Sequence, residues 1–153
     1  MSLPKALGKI ASGLYIATAR LDGEPIGMLC SFVEQAGFEP PAISLAVGVG
    51  RPLIAAIEAG APFGLHVLSK SNNALLKSFA RGCTPESFAN HSMVENEYGI
   101  PQFAEAWAFL VVRVVNRMPA GDHILFLAEA LTGVLQAEEG EPMVRVRSNG
   151  LSY

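Results

Sequence analysis

Cysteine is scarce in this chain: of 153 residues only Cys30 and Cys83 carry a thiol. They have neither the spacing of a metal site nor the density of a disulfide framework, so a reducing cytoplasm is the expected compartment. Charge is also sparse, at 16% of residues, while half the chain is hydrophobic; the resulting low-polarity surface points to self-association. The net charge of −3 comes without a basic block, so nucleic acid is not expected as a partner. No apolar run reaches the ~18 residues of a membrane span, because Arg113, Asn116 and Arg117 interrupt the longest one. The N-terminus passes directly into a strand pattern, and no signal peptide is expected there. The histidines His66, His91 and His123 show no ligand spacing, which argues against zinc. Ser31 lacks a nucleophile-elbow context, and no pair of carboxylates stands ready for acid–base work.

What the chain does have is strand pattern punctuated by turns. The most prominent stretch, Ala106 to Leu131, reads as two apolar strands joined at Pro119-Ala120-Gly121-Asp122, with His123 just beyond the turn. Such a hairpin, apolar on both faces, needs a closed β architecture to bury it. Upstream, Lys5 to Ser12 reads as a short helical lead-in and Leu14 to Ala19 as a strand. Asp22-Gly23 signals a tight hairpin, with the return strand running from Ile26 to Val33. Phe38 to Pro41 breaks the pattern before a third strand at Ala42 to Val47. Pro52 at a first helical position and Gly60 at a cap predict a short helix between them.

Phe63 to Leu68 is a fourth strand, and Ser71 is a candidate cap for a helix from Asn73 to Ala80. Arg81 to Phe103 is polar and irregular, a length of loop that is usually functional or disordered. A polar turn at Glu138 to Pro142 leads to a last strand at Met143 to Val146. Six or seven strands with two short helices predict one domain over residues 1–153, all-β to α+β: a small antiparallel Greek-key barrel with peripheral helices. The absence of Gly-x-Gly-x-x-Gly at a first strand-to-helix turn argues against a doubly wound sheet.

Residue chemistry alone offers two candidate features. The segment Gly48-Val49-Gly50-Arg51 precedes a helix start and could present N–H groups and a guanidinium to a phosphate, although the same pattern serves as a plain tight turn. The corner Gly121-Asp122-His123 could belong to a site, or His123 could simply bond Asp122 and fix the turn. Cys30, in an apolar strand, reads as packing. With no catalytic constellation among the side chains, the pattern suits a protein whose cofactor carries the reaction.

The order and spacing of these pieces resemble the flavin reductase-like family with the FMN-binding split-barrel fold. The resemblance rests on GMLCSFVEQAGFEPPAISLAV at Gly27 to Val47, FGLHVLS at Phe63 to Ser69, GIPQFAEAWAFLVVRVVNRM at Gly99 to Met118, and GDHILFLAEA at Gly121 to Ala130. It covers nearly the whole chain. Its flavour is that of the C-terminal flavin reductase module of cyanobacterial flavodiiron proteins, which shares the run from Asn116 to His123. Neither a di-iron nor a flavodoxin-like module is visible.

The resemblance implies FMN, with FAD or riboflavin as alternatives, bound near a subunit boundary of a homodimer and reduced by NADH or NADPH. The strand Gly27-Met28-Leu29-Cys30-Ser31-Phe32-Val33 would lie along the flavin ring, with main-chain N–H groups bonding the ring and Gly27 permitting close approach. Val47, Gly48, Val49, Gly50 and Arg51 would form the phosphate side. Asp122 and His123 would stand at the ring and the nicotinamide, His123 orienting them. Hydride would pass from nicotinamide C4 to flavin N5, and onward electrons could reach a redox partner protein. Ser31 alone supplies a hydroxyl where relatives are hydroxyl-rich, Val49 stands where the flavodiiron-type module tends to have lysine, and His66 replaces a common asparagine. These departures leave open a loosely held flavin substrate, a partner-dependent FMN-binding electron-transfer module, or a barrel that has lost flavin.

Overall fold

The computed structural model describes residues 2–153. A short helix, α1 (Leu3–Leu7), is followed by β1 (Ser12–Gly13), β2 (Tyr15–Leu21), β3 (Glu24–Cys30), β4 (Val33–Phe38) and β5 (Pro41–Gly48). Then come α2 (Pro52–Ile57), β6 (Phe63–Val67), α3 (Asn73–Phe79), α4 (Glu86–Ala89), β7 (Met93–Val94) and β8 (Gln102–Phe103). The chain closes with β9 (Ala108–Ala120), β10 (His123–Leu135) and β11 (Val144–Arg145). Seven strands form one antiparallel sheet in the order β3-β2-β6-β9-β10-β5-β4, which is the split barrel expected from the sequence. The sheet is not hydrogen-bonded between β3 and β4, its two edges, which Ser31 and Phe32 connect.

The barrel closes around a core that draws on nearly every strand. Ala17, Cys30, Val33, Leu45, Val47, Phe63, Leu65, Val112 and Phe126 meet inside it, and Leu53, Ile54 and Ile57 of α2 plug it. A second cluster lies on the outer face of β2, where Ile16 packs with Leu68, Leu75, Phe79 and Phe103. β2 is thus buried on both sides, which accounts for its unbroken apolar reading. His66 lies fully buried on the same outer face, its Nδ1 2.9 Å from the Ile16 carbonyl and its Nε2 accepting from the Phe103 N–H at 3.0 Å. These partners fix a neutral ring with the proton on Nδ1, and burial pushes its pKa down to about 4.

Both hairpins predicted from the sequence are present, with sharper turns. Asp22 and Gly23 alone join β2 to β3, each at positive φ, as a type I′ turn requires. In the long hairpin Pro119 and Ala120 belong to β9, and the loop is only Gly121-Asp122, with Gly121 at φ +67°. Other expectations need correction. The lead-in helix ends at Leu7 and not at Ser12, the Gly8 carbonyl accepting from the Arg147 N–H at 2.9 Å instead of continuing the helix. The strand expected from Ile26 to Val33 is two strands, because the chain crosses the split at Ser31-Phe32. Asn72, not Ser71, stands at the start of α3, and its side chain is turned back to accept from the Ser69 N–H at 2.9 Å. The stretch from Arg81 to Phe103 is ordered around α4, β7 and β8. His91 holds it down, with Nε2 2.7 Å from Ser78 Oγ and Nδ1 on the Glu105 carboxylate.

Candidate functional site

β3 is an edge strand, so the outward main-chain groups of alternate residues have no strand partner. A groove of about 690 Å³ runs along this edge, a size typical of small-molecule sites. Its floor is Pro25 to Ser31; Gly48, Arg51 and Leu53 close one side, and the segment from Phe79 to Pro85 closes the other. Arg145 and Tyr153 stand at its mouth.

The residues singled out in the sequence divide into four groups. Gly27, Met28, Leu29, Cys30, Ser31, Gly48 and Arg51 line the groove. Arg51 folds back over Gly48, its Cγ lying 3.7 Å from where a Cβ at that glycine would stand. Val33 and Val47 face the barrel interior, so only their main chain is available to the outside. Val49 and Gly50 are exposed at the loop tip, where Val49 N–H donates to the Asp122 carbonyl at 2.9 Å and so ties the loop to the long hairpin.

Phe32, Asp122 and His123 form a separate cluster beside the groove. His123 Nδ1 is 2.7 Å from the Asp122 carboxylate, and Nε2 is 2.6 Å from the Tyr153 hydroxyl. The Phe32 ring lies 5.5 Å from that of His123 and 5.6 Å from that of Tyr153. The Arg147 guanidinium sits 5.0 Å from the Phe32 centroid. The hydrogen bond and charge of His123 hold the Asp122 carboxyl below its ordinary value. Burial raises the Tyr153 phenol, with Arg51 and Arg147 drawing it partly back.

Gly27 has a local explanation. A Cβ there would meet Phe79 Cε1 at 2.5 Å, so the missing side chain makes room for a ring of the groove wall. Cys83 lies against the same strand: burial pushes its thiol up, opposed by a hydrogen bond from the Gly27 backbone. Cys30 is buried, and burial pushes its thiol up to about 12, in keeping with its reading as packing. No group of three or more His, Cys, Asp or Glu suited to a metal ion occurs among the described residues.

Sequence reasoning missed Arg145, Arg147, Tyr153 and the wall from Phe79 to Pro85. The tail reaches the groove because β11 pairs with β1, Arg147 N–H donates to Gly8 O at 2.9 Å and Gly150 N–H to Pro4 O at 2.7 Å. One signal was present in the sequence: arginine and valine alternate from Val144 to Arg147, although alternation does not say which side faces inward.

Residues 7–149 match the model of the flavin reductase like domain. A putative diflavin flavoprotein of Nostoc is 34% identical over 99% of this chain and 27% of its own length. A diflavin flavoprotein of Synechocystis is 33% identical with the same coverages. The chain therefore spans about a quarter of the length of these curated relatives. Among solved structures, a nitrilotriacetate monooxygenase component B homologue from Mycobacterium thermoresistibile superposes with TM-score 0.84 at 21% identity, covering 94% of this chain and 80% of the other. An NADH:FAD oxidoreductase of Streptomyces globisporus, solved with NAD and FAD fragments, gives TM-score 0.83 at 24% identity, covering 93% and 85%. These structural likenesses establish the split-barrel fold.

Proposed function

From the premise that this chain belongs to the flavin reductase-like family, we propose that it is an NAD(P)H:flavin oxidoreductase that holds FMN in the groove along β3. The observation that carries this reading is one groove combining an unpaired main-chain edge, apolar walls and the Arg51 guanidinium. Those are the three kinds of contact a flavin mononucleotide needs: polar ring edge, flat ring faces and phosphate. The residues present therefore fit the group.

When bound, flavin supplies a ring that takes a hydride from nicotinamide C4 at its N5. The chain does the rest. Main-chain groups of Gly27 to Ser31 orient the ring edge, and Ile26, Met28, Leu53 and Phe79 exclude water. Arg51 holds the phosphate with a planar, permanently charged donor set, taking the part for which Val49 is unsuited. His123, with its proton directed at Asp122, is a positioning residue at the groove's edge and needs no acid–base step.

We assign all of residues 1–153 to one module and expect it to work as a homodimer. The exposed Val115, Met118 and Leu127 of the long hairpin suit an apolar subunit boundary. The relatives' greater length supports a second reading, in which the module passes electrons within a larger assembly. Among the described residues no helix is long and apolar enough to cross a membrane.

The test is a fluorescence titration with FMN and riboflavin, followed by NADH and NADPH oxidation with and without free flavin. FMN binding with nucleotide consumption is the expected result. Binding without consumption selects the carrier, and absence of flavin quenching rejects both readings.

A further inference from the structure

From Met143 to Arg147 the side chains alternate, and the alternation is inverted from the ordinary one. Val144 and Val146 are 60% and 53% exposed, whereas Arg145 and Arg147 are half-buried, Arg145 lining the groove and Arg147 lying beside it over the Phe32 ring. Burying a guanidinium costs free energy unless an anion or several acceptors meet it. Here no carboxylate does: among the described residues, none of Arg51, Arg145 and Arg147 forms an ion pair. Arg147 has only the Phe32 ring face at 5.0 Å and a long contact of 3.4 Å to the Ser152 carbonyl.

These two arginines face a polar hollow of about 220 Å³ whose wall includes Ser148, Asn149 and Ser152. The hollow shares Arg145 and Tyr153 with the main groove, so the two adjoin. Arg51 lies in the groove proper and is sufficient for the single phosphate of FMN. Arg145 and Arg147 are a separate pair of planar cationic donors beyond it, with hydroxyl and amide groups alongside.

We propose that Arg145 and Arg147 form a second anion subsite that takes the pyrophosphate of a dinucleotide whose ring system occupies the groove. This rests on the flavin reading of the groove. Two bound species carry that chemistry, FAD and the nicotinamide dinucleotide, and the experiment separates them.

Dissociation constants for riboflavin, FMN, FAD and ADP-ribose, and KM for NADH, would be measured on the wild type, on the Arg145→Ala/Arg147→Ala double variant and on Arg147→Gln. The glutamine keeps much of the packing over Phe32 without the charge. ADP-ribose has the pyrophosphate but neither ring, so it reads the subsite even if no flavin binds. The expected result is a loss of tenfold or more for ADP-ribose in the double variant and a smaller loss in Arg147→Gln, where FMN and riboflavin, whose groove Arg147 does not line, are held within twofold. A parallel loss for FAD alone identifies the flavin dinucleotide; a parallel rise in KM for NADH alone identifies the nicotinamide one. Wild-type protein that binds ADP-ribose but neither FMN nor riboflavin would overturn the flavin reading and leave the subsite standing. Equal losses for all ligands, or unchanged ADP-ribose binding, would overturn the subsite. A double variant that melts early shifts the decision to Arg147→Gln, where unchanged ADP-ribose affinity has the same meaning.

Discussion

The Tyr153 hydroxyl lies 2.6 Å from His123 Nε2, and its ring leans on Phe32, so the tail caps the histidine at the turn of the long hairpin. Because Nδ1 of His123 faces the Asp122 carboxylate, that nitrogen carries the proton and Nε2 accepts from Tyr153. A nucleotide ring approaching His123 must displace a phenol that is 61% exposed and held by this bond. Tyr153→Phe is expected to lower KM for the nicotinamide nucleotide by about fivefold, the worth of one neutral hydrogen bond, with kcat little changed. Steady-state kinetics with saturating flavin measure this, and an unaltered KM removes Tyr153 from the path of the nucleotide.

His66 makes stability depend on pH. Its folded pKa, near 4, lies below the ordinary 6.5, because burial strips the charged ring of its solvation. A group depressed in this way contributes stability that is present above pH 6.5 and is lost as pH falls toward 4. Between pH 7.5 and 5 the loss is expected to be roughly 2 kcal/mol. Urea unfolding at the two pH values, compared with His66→Asn, isolates the effect; an equally steep decline in the variant would assign it elsewhere.

Gly27→Ala places a methyl 2.5 Å from Phe79, a ring only 2% exposed and packed in the second core. Overpacking of this kind costs about 1–3 kcal/mol. Thermal denaturation is expected to show that loss, and flavin titration a weakened affinity, since Phe79 also lines the groove. A variant of unchanged stability would show that Phe79 can retreat.

The two thiols should behave oppositely. Cys83 is exposed at the groove wall, whereas Cys30 is buried with its pKa near 12. A disulfide exchange reagent should modify Cys83 alone in the native protein and both after denaturation. Bound FMN should slow the native reaction severalfold, and modification at the same rate with flavin present would place the ligand away from this wall.

Some of this was legible from sequence because its cause is local. Asp22-Gly23 announces a turn since both positions need positive φ, and the β9–β10 hairpin is announced by two apolar runs around Gly121. The floor of the groove was legible through the resemblance of Gly27 to Val47. The split itself was not. Met28 to Val33 contains no breaker, and where the chain leaves β3 Phe32 packs against His123 and Tyr153, which lie far along the sequence. Arg145 and Arg147 escaped notice for the same reason: their inward direction is set by pairing between Val144 and Gly13, not by their neighbours. Asn72 shows a smaller case, in which a serine next to it looked like the better cap until Ser69 claimed the asparagine side chain.

The order of strands in the sheet has a kinetic consequence. β5 lies beside β10 and β6 beside β9, so the barrel is joined by pairs distant in the chain. Most of the closure entropy must be lost before those ladders contribute anything, which places this fold among the slower topologies. During synthesis, β5 and β6 emerge well before the long hairpin that completes them. Until His123 to Glu129 arrive, Ala42 to Gly48 present an uncovered edge of alternating apolar residues. Expression yield should therefore respond to the speed of translation and to chaperone supply more strongly than the finished barrel's stability would suggest.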